Sequence, residues 1–160
     1  WMLIGKKILL RFLKLEDLDF LYSIENNINY FEFSDNPQFY SKTVLKEYIK
    51  NSNTSISTYN QLRFVIEHKK KAVGLIDLFD YDFKTKSAGI GIIVKEEFQN
   101  LNFGSESLGL LISFAWEDLD LLSLYANINS DNTRSIKLFE KFGFIKKDEL
   151  LFQLNRWGFL

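Results

Sequence analysis

Apolar residues first fall into a regular pattern at Leu15, Leu18, Leu21 and Ile24, with Glu16, Asp17, Asp19 and Glu25 between them. A three-residue repeat predicts one buried helix face, and the acids of its first turn sit where the helix dipole favours them. The apolar run 8–12 before it predicts a strand. A polar, aromatic loop over 28–40 holds Pro37. Ser41 then reads as the N-cap of a second helix with Val44, Leu45, Tyr48 and Ile49 inward. The Ser/Thr/Asn-rich stretch 51–60 predicts another loop.

Three strands follow, over 62–67, 72–81 and 87–94, joined by short polar links that predict antiparallel hairpins. A helix is predicted from 103–105 to about 118, with Leu108, Leu111, Ile112, Ala115 and Trp116 inward, then a strand over 122–128. Asn129 to Asn132 cap a helix over 133–142 that Gly143 stops, and 144–146 and 150–155 read as the last strands. The order predicts one α+β domain over 1–160 with a central mixed sheet.

Composition narrows the chemistry. The chain has 160 residues, 46% of them apolar, enough for one real core. There is no cysteine, which excludes disulfides, a Cys nucleophile and thiolate metal sites. The single histidine, His68, excludes a multi-His metal site, so no metal is expected. His68 precedes Lys69-Lys70-Lys71 in a tight, solvated turn and reads as a surface histidine. A net charge of −1 advertises neither a nucleic-acid nor an anionic-membrane surface. The longest apolar run, 108–116, is far short of the ~20 residues of a membrane span. Residues 1–7 lack the order of a secretory leader, so the cytoplasm is the expected compartment. With 16 Phe, 7 Tyr and 3 Trp, apolar surface remains for a homodimer.

Two segments carry candidate chemistry. In 94–108 a strand ends, a turn with small and polar residues follows, and a helix begins near Gly104. Backbone N–H groups at such a start make a nest suited to a phosphate, although a turn with Gly before a helix is also an ordinary connection. In 128–144 a strand ends in an Asn-rich corner before an amphipathic helix, which alone reads as a capped helix.

Together, in this order, the segments resemble the GCN5-related N-acetyltransferase (GNAT) superfamily. Its acetyl-CoA motif Gln/Arg-x-x-Gly-x-Gly/Ala is matched by Gln99-Asn100-Leu101-Asn102-Phe103-Gly104, followed by Ser105. Asn132-Thr133-Arg134-Ser135 and Leu138-Phe139-Glu140-Lys141-Phe142-Gly143-Phe144 are similar to its second motif. Leu9-Leu10-Arg11-Phe12 and Val73-Gly74-Leu75-Ile76-Asp77 extend the resemblance over nearly the whole chain. Spermidine and ribosomal-protein N-terminal acetyltransferases are the most similar branch.

The resemblance implies a mostly antiparallel sheet with two splayed strands, flanked by about four helices. It implies acetyl-CoA as cosubstrate, its pyrophosphate on the amides of Leu101, Asn102, Phe103, Gly104 and Ser105 beside Gln99. The pantetheine would run along Ile92-Ile93-Val94, with Asn132 bonding the pantetheine or the thioester region. The acceptor would be a small amine or a peptide N-terminus.

Four departures stand out. Asn102 replaces the first glycine of the motif, although Asn tolerates a left-handed backbone. Phe139 stands where a Tyr often protonates the leaving thiolate, and Gly89 and Gly91 where an acid is often found. The link 146–149 between the last two strands is shorter than the family's, as though residues between them were missing.

Asp77 lies inside an otherwise apolar strand. It reads either as an alternating solvent-facing residue or as a general base and anchor for an amine, a role the resemblance favours. Asp80 and Tyr81 follow it toward the same cleft. Glu25, Tyr30 and Glu32 lie in or beside the loop after the first helix, where the resemblance places the acceptor site, or else belong to a solvated loop. The expected activity is N-acetylation of a primary amine. The alternative is an acyl-CoA-binding module with little or no turnover, for which Phe139 and Gly89 speak.

Overall fold

The computed structural model describes residues 2–27, 39–52 and 60–158. Among the described residues eight strands form one sheet: β1 (Met2–Ile4), β2 (Leu9–Phe12), β3 (Leu62–His68), β4 (Lys71–Asp82), β5 (Ser87–Val94), β6 (Ser123–Asn127), β7 (Ile145–Lys146) and β8 (Leu151–Asn155). Their spatial order is β1-β2-β3-β4-β5-β6-β8-β7. Every neighbouring pair is antiparallel except β5–β6.

Four α-helices flank the sheet among the described residues: α1 (Leu18–Glu25), α2 (Lys42–Asn51), α3 (Phe103–Glu117) and α4 (Thr133–Lys141). Alternation along the strands feeds two cores. Val65 and Leu75 point one way, to Leu21 and Ile24 of α1 and Leu45 and Ile49 of α2. Phe64, Ile66, Ile76 and Leu78 point the other way, to Leu108, Leu111 and Phe114 of α3 and Phe139 of α4. The central strands are therefore buried on both faces, which explains their nearly unbroken apolar runs.

The caps follow the sequence. The Ser41 hydroxyl accepts from the Val44 amide at 3.1 Å, and the Asn132 side-chain oxygen accepts from Ser135 N–H at 3.2 Å. Gly143 ends α4 with φ +94°, the left-handed conformation that glycine adopts without steric cost.

The structure adds to these expectations and corrects some: Leu15 and Val44, expected on buried helix faces, are exposed. β1 pairs with β2 before the first predicted strand, since three residues carry too little periodicity to announce a strand. The last hairpin closes through 147–150, with Lys147 N–H donating to the Leu151 carbonyl at 2.8 Å. His68 sits at the β3–β4 turn, half-buried: its Nδ1 lies 2.7 Å from the Lys7 carbonyl oxygen and its ring centre 4.5 Å from that of Phe103.

The feature that creates a site is the β5–β6 pair. Its parallel ladder runs only from Ser87–Ser123 to Gly89–Tyr125. Beyond it β5 stays paired with β4 as far as Val94, and β6 with β8 as far as Asn127. Each strand keeps its outer neighbour and loses the inner one, so the sheet opens.

Candidate active site

Two cavities meet at this opening. The smaller, about 210 Å³, is lined by Ile92, Ile93 and Val94 of β5, by Gln99 and Asn102 to Ser105 around the start of α3, and by Asn132, Arg134, Ser135 and Leu138 of the α4 corner. The larger, about 500 Å³, opens toward α1 and α2 and holds Glu25, Tyr48, Arg63, Asp77 and Asp80. Ile92, Ile93, Asn132 and Ser135 line both.

The smaller cavity is built mainly by backbone. Asn100 and Asn102 are both left-handed, with φ +66° and +67°, and fold the chain sharply into α3. The Asn102 side chain makes no cap, so it takes none of the first-turn amides that carry the positive end of the helix. Gln99 braces the turn: its Nε2 donates to the Val94 carbonyl at 2.9 Å, and its Oε1 accepts from Arg134. Lys141 Nζ donates to Ser105 Oγ at 2.9 Å, setting a second cation at the rim. At Gly104 a Cβ would stand 3.5 Å from Leu138 and 3.7 Å from Ile92 and Val94, so the missing side chain leaves an apolar cradle.

The larger cavity is built by side chains distant in sequence. Arg63 on β3 and Asp77 on β4 are direct register partners. Both lie on the α1–α2 side, in alternation with Val65 and Leu75. Arg63 Nη1 contacts Glu25 Oε1 of α1 at 2.8 Å and donates to the Tyr48 hydroxyl of α2 at 3.5 Å. Its guanidinium carbon lies 6.0 Å from the centre of the Tyr48 ring, while its Nε is buried with no acceptor among the described residues. Gln61 Nε2 donates to Asp77 Oδ2 at 3.3 Å.

Burial pushes the Asp77 carboxyl up from its ordinary value and Glu25 adds to the push, while Arg63 and Gln61 pull it down; the upward effects win. Burial alone would lower the Arg63 guanidinium, but Tyr48, Asp77 and Glu25 hold it above its ordinary value. A break in the β4–β5 register between Phe79 and Asp82 puts Asp80 at φ +49°, and its carboxylate accepts from the Tyr125 hydroxyl at 3.4 Å. Asp and Asn tolerate that conformation better than most residues.

Of the residues expected around the cofactor, Ile92, Ile93, Val94, Gln99, Asn102, Phe103, Gly104, Ser105 and Asn132 all line the smaller cavity. Leu101 does not; it is exposed on the outside of the turn. Of the acceptor residues, Asp77 and Glu25 share the larger cavity. Tyr81 does not line it: the bulge at Asp80 shifts the alternation, and Tyr81 packs with the α3–α4 core and edge-on to Phe83. Tyr30 and Glu32 lie outside the described residues. The glycines found in place of an acid have local causes. A Cβ on Gly89 would lie 2.5 Å from the Phe79 ring, and one on Gly91 2.8 Å from Asp77 Oδ1. Phe139 is buried, lines the larger cavity and meets Phe144 edge-on with ring centres 4.9 Å apart.

Sequence reasoning missed Arg63, Gln61, Tyr48 and Ser135. Arg63 carried a signal, a lone charge in the apolar run 62–66, but its partners come from register and helix packing.

Comparison with known proteins agrees with this geometry. The profile of the family described as Acetyltransferase (GNAT) domain matches residues 7–145. The chain is 26% identical over 148 residues to a spermidine N(1)-acetyltransferase of Vibrio cholerae, covering 92% of this chain and 84% of that one. Its fold superposes on the spermidine N-acetyltransferase from Vibrio cholerae in complex with CoA and spermine, with TM-score 0.84, 23% identity and coverage of 96% and 98% of the two chains. It superposes equally on a ribosomal L7/L12 alpha-N-protein acetyltransferase in complex with CoA, with TM-score 0.85, 14% identity and 99% coverage of each chain. The match over residues 7–145, the sheet opened between β5 and β6 and the helix start beside it make this chain a member of the acetyltransferase (GNAT) family, an N-acetyltransferase.

Proposed function

We propose that the chain transfers an acetyl group from acetyl-CoA to a small primary amine, with the cofactor in the smaller cavity and the amine in the larger. The observation that carries this reading is the common wall of Ile92, Ile93, Asn132 and Ser135, where contents of the two cavities would touch. The cofactor fits the residues present. Uncapped helix amides suit a pyrophosphate, the Gly104 cradle is apolar, and Arg134 and Lys141 stand at the rim. When bound, acetyl-CoA supplies an acyl group activated as a thioester and a thiolate leaving group.

An aliphatic amine of pKa ~10 arrives protonated at neutral pH and must lose a proton before it attacks. Asp77 takes that proton: it is a carboxylate in the amine's cavity, and burial makes it a stronger base than an exposed Asp. Glu25, Asp77 and Asp80 outnumber Arg63 there, so the cavity favours a cation, and one with more than a single charge over a neutral amine. Beyond Gly89 the β6-facing edge of β5 leaves its ladder, and its backbone groups there would be available to polarise the thioester carbonyl. The Asn132 side-chain oxygen is committed to its cap, which leaves its amide to donate. With Phe139 lacking a hydroxyl, Ser135 is, among the described residues, the one hydroxyl common to both cavities, and it would donate a hydrogen bond to the departing sulfur, which leaves as a thiolate and takes its proton from solvent.

The test is release of free CoA with a panel of amines, including spermidine and a short peptide with a free N-terminus. Turnover with small polycationic amines supports the reading. Saturable acetyl-CoA binding without turnover on any amine selects the binding-module alternative, for which Phe139 speaks.

A further inference from the structure

Glu25, Asp77 and the Arg63 guanidinium line the larger cavity together. Arg63 stands directly across the ladder from Asp77, and its Nη1 is held by Glu25 at 2.8 Å. The side chains of Arg63 and Glu25 are only 17% and 19% exposed, so water screens the set weakly. The groups facing Asp77 are Arg63 from β3, Gln61 just before it, Glu25 from α1 and Asp80 from the bulge of β4, with Tyr48 of α2 against Arg63; across on β5 stands Gly91. Arg63 is the one cation among them. Its Nε is buried with no acceptor among the described residues, and its contacts run through Nη1 to Glu25 and Tyr48.

We infer that Arg63 is a positioning residue that Glu25 and Asp77 compete for, and that this competition sets the pH at which Asp77 becomes a working base. A guanidinium stays charged throughout the physiological range, so it is a constant of the site. Glu25 acts on Asp77 in two ways of the same sign. It repels the Asp77 charge directly and draws off part of the Arg63 charge. Removing Arg63 leaves two acids confined together; removing Glu25 leaves Asp77 alone with its cation. The two substitutions therefore move Asp77 in opposite directions, which a merely structural role for either residue would not do.

The inference rests on the reading of Asp77 as proton acceptor, so its test has a readout that needs no turnover. The full chain is labelled with 13C at its Asp carboxyls, and the Asp77 signal, assigned by its loss in Asp77→Asn, is titrated without cofactor. Arg63→Met raises the Asp77 midpoint by about one to three pH units, the size of effect an adjacent opposite charge exerts. Arg63→Lys stays near wild type, because the charge is kept. Glu25→Gln lowers the midpoint. The acid limb of kcat/KM for the amine follows the same order. If Arg63→Met does not fold, Glu25→Gln decides alone: a fall supports the competition, and an unchanged or raised midpoint overturns it. Midpoints that move together in Arg63→Met and Glu25→Gln also overturn it. Midpoints that move as stated while the kcat/KM limb stays fixed leave the competition standing and remove Asp77 as the base.

Discussion

Gly91 stands directly across the β4–β5 ladder from Asp77, and a methyl group on it would lie 2.8 Å from Asp77 Oδ1. Contacts that short do not persist, so either the carboxylate turns away or the strands shift. Gly91→Ala is expected to lower kcat/KM for the amine about tenfold or more, roughly 1.4 kcal/mol of barrier. Acetyl-CoA affinity, read by calorimetry, should stay within about twofold, because Gly91 does not line the cofactor cavity.

At Gly104 the geometry predicts the reverse split. A single Cβ makes ordinary contacts of 3.5 to 3.7 Å with Leu138, Ile92 and Val94, and the further methyls of a valine fill the cradle. Gly104→Val should weaken acetyl-CoA binding by about tenfold or more while thermal unfolding changes little. Unchanged affinity in the folded variant would place the cofactor elsewhere.

The two cavities were unequally legible in the sequence, for a physical reason. The cofactor side is made by neighbours in the chain, Gln99, Asn100 and Asn102 to Ser105 with Asn132, whose left-handed turn and helix start are local backbone events that leave a local signature. The acceptor side is made by contacts that only register and packing create. Nothing in the residues around Arg63 announces that Asp77 lies across from it, that Glu25 reaches it from α1, or that Tyr48 lies against it. Tyr81 shows the same limit. Strict alternation from Asp77 puts it in the cleft, and one extra residue at the Asp80 bulge turns it to the other core.

Stability should respond to pH through two aspartates of opposite sign. Asp17 is buried; burial would raise it, but bonds from Arg11 at 2.7 and 2.9 Å and from the Lys14 amide at 2.9 Å hold it below its ordinary value. Its stabilisation is therefore present above its unfolded pKa of ~3.9 and is lost as pH falls through the lower folded value. Asp17→Asn should cost about 3 kcal/mol at pH 7 and progressively less below pH ~4, read by urea unfolding. Asp77 is raised, so its contribution is full below the unfolded value and is lost as pH rises through the folded one. Asp77→Asn should thus unfold at a higher temperature than wild type at pH 7, even as it loses activity.

The leaving group is tested by a pair of substitutions. Ser135→Ala should lower kcat by about tenfold or more with little change in KM for the amine. Phe139→Tyr, which restores a hydroxyl beside the same cavity, should leave wild-type turnover unchanged or higher and recover part of the Ser135→Ala loss. A tenfold fall in Phe139→Tyr alone, about 1.4 kcal/mol, would show that the packing of Phe139 on Phe144 outweighs any gain from the hydroxyl.

The central claim is that one carboxylate serves the amine while the cofactor is held by other residues, and Asp77→Asn tests it most directly. The substitution keeps size and hydrogen bonding and removes the charge. Steady-state kinetics with a turned-over amine at saturating acetyl-CoA, paired with calorimetric titration of acetyl-CoA, separate the two cavities. The expected result is a fall in kcat/KM for the amine of about 10²-fold or more, with acetyl-CoA affinity within about twofold of wild type. Unchanged amine kinetics in a folded Asp77→Asn protein would contradict the account.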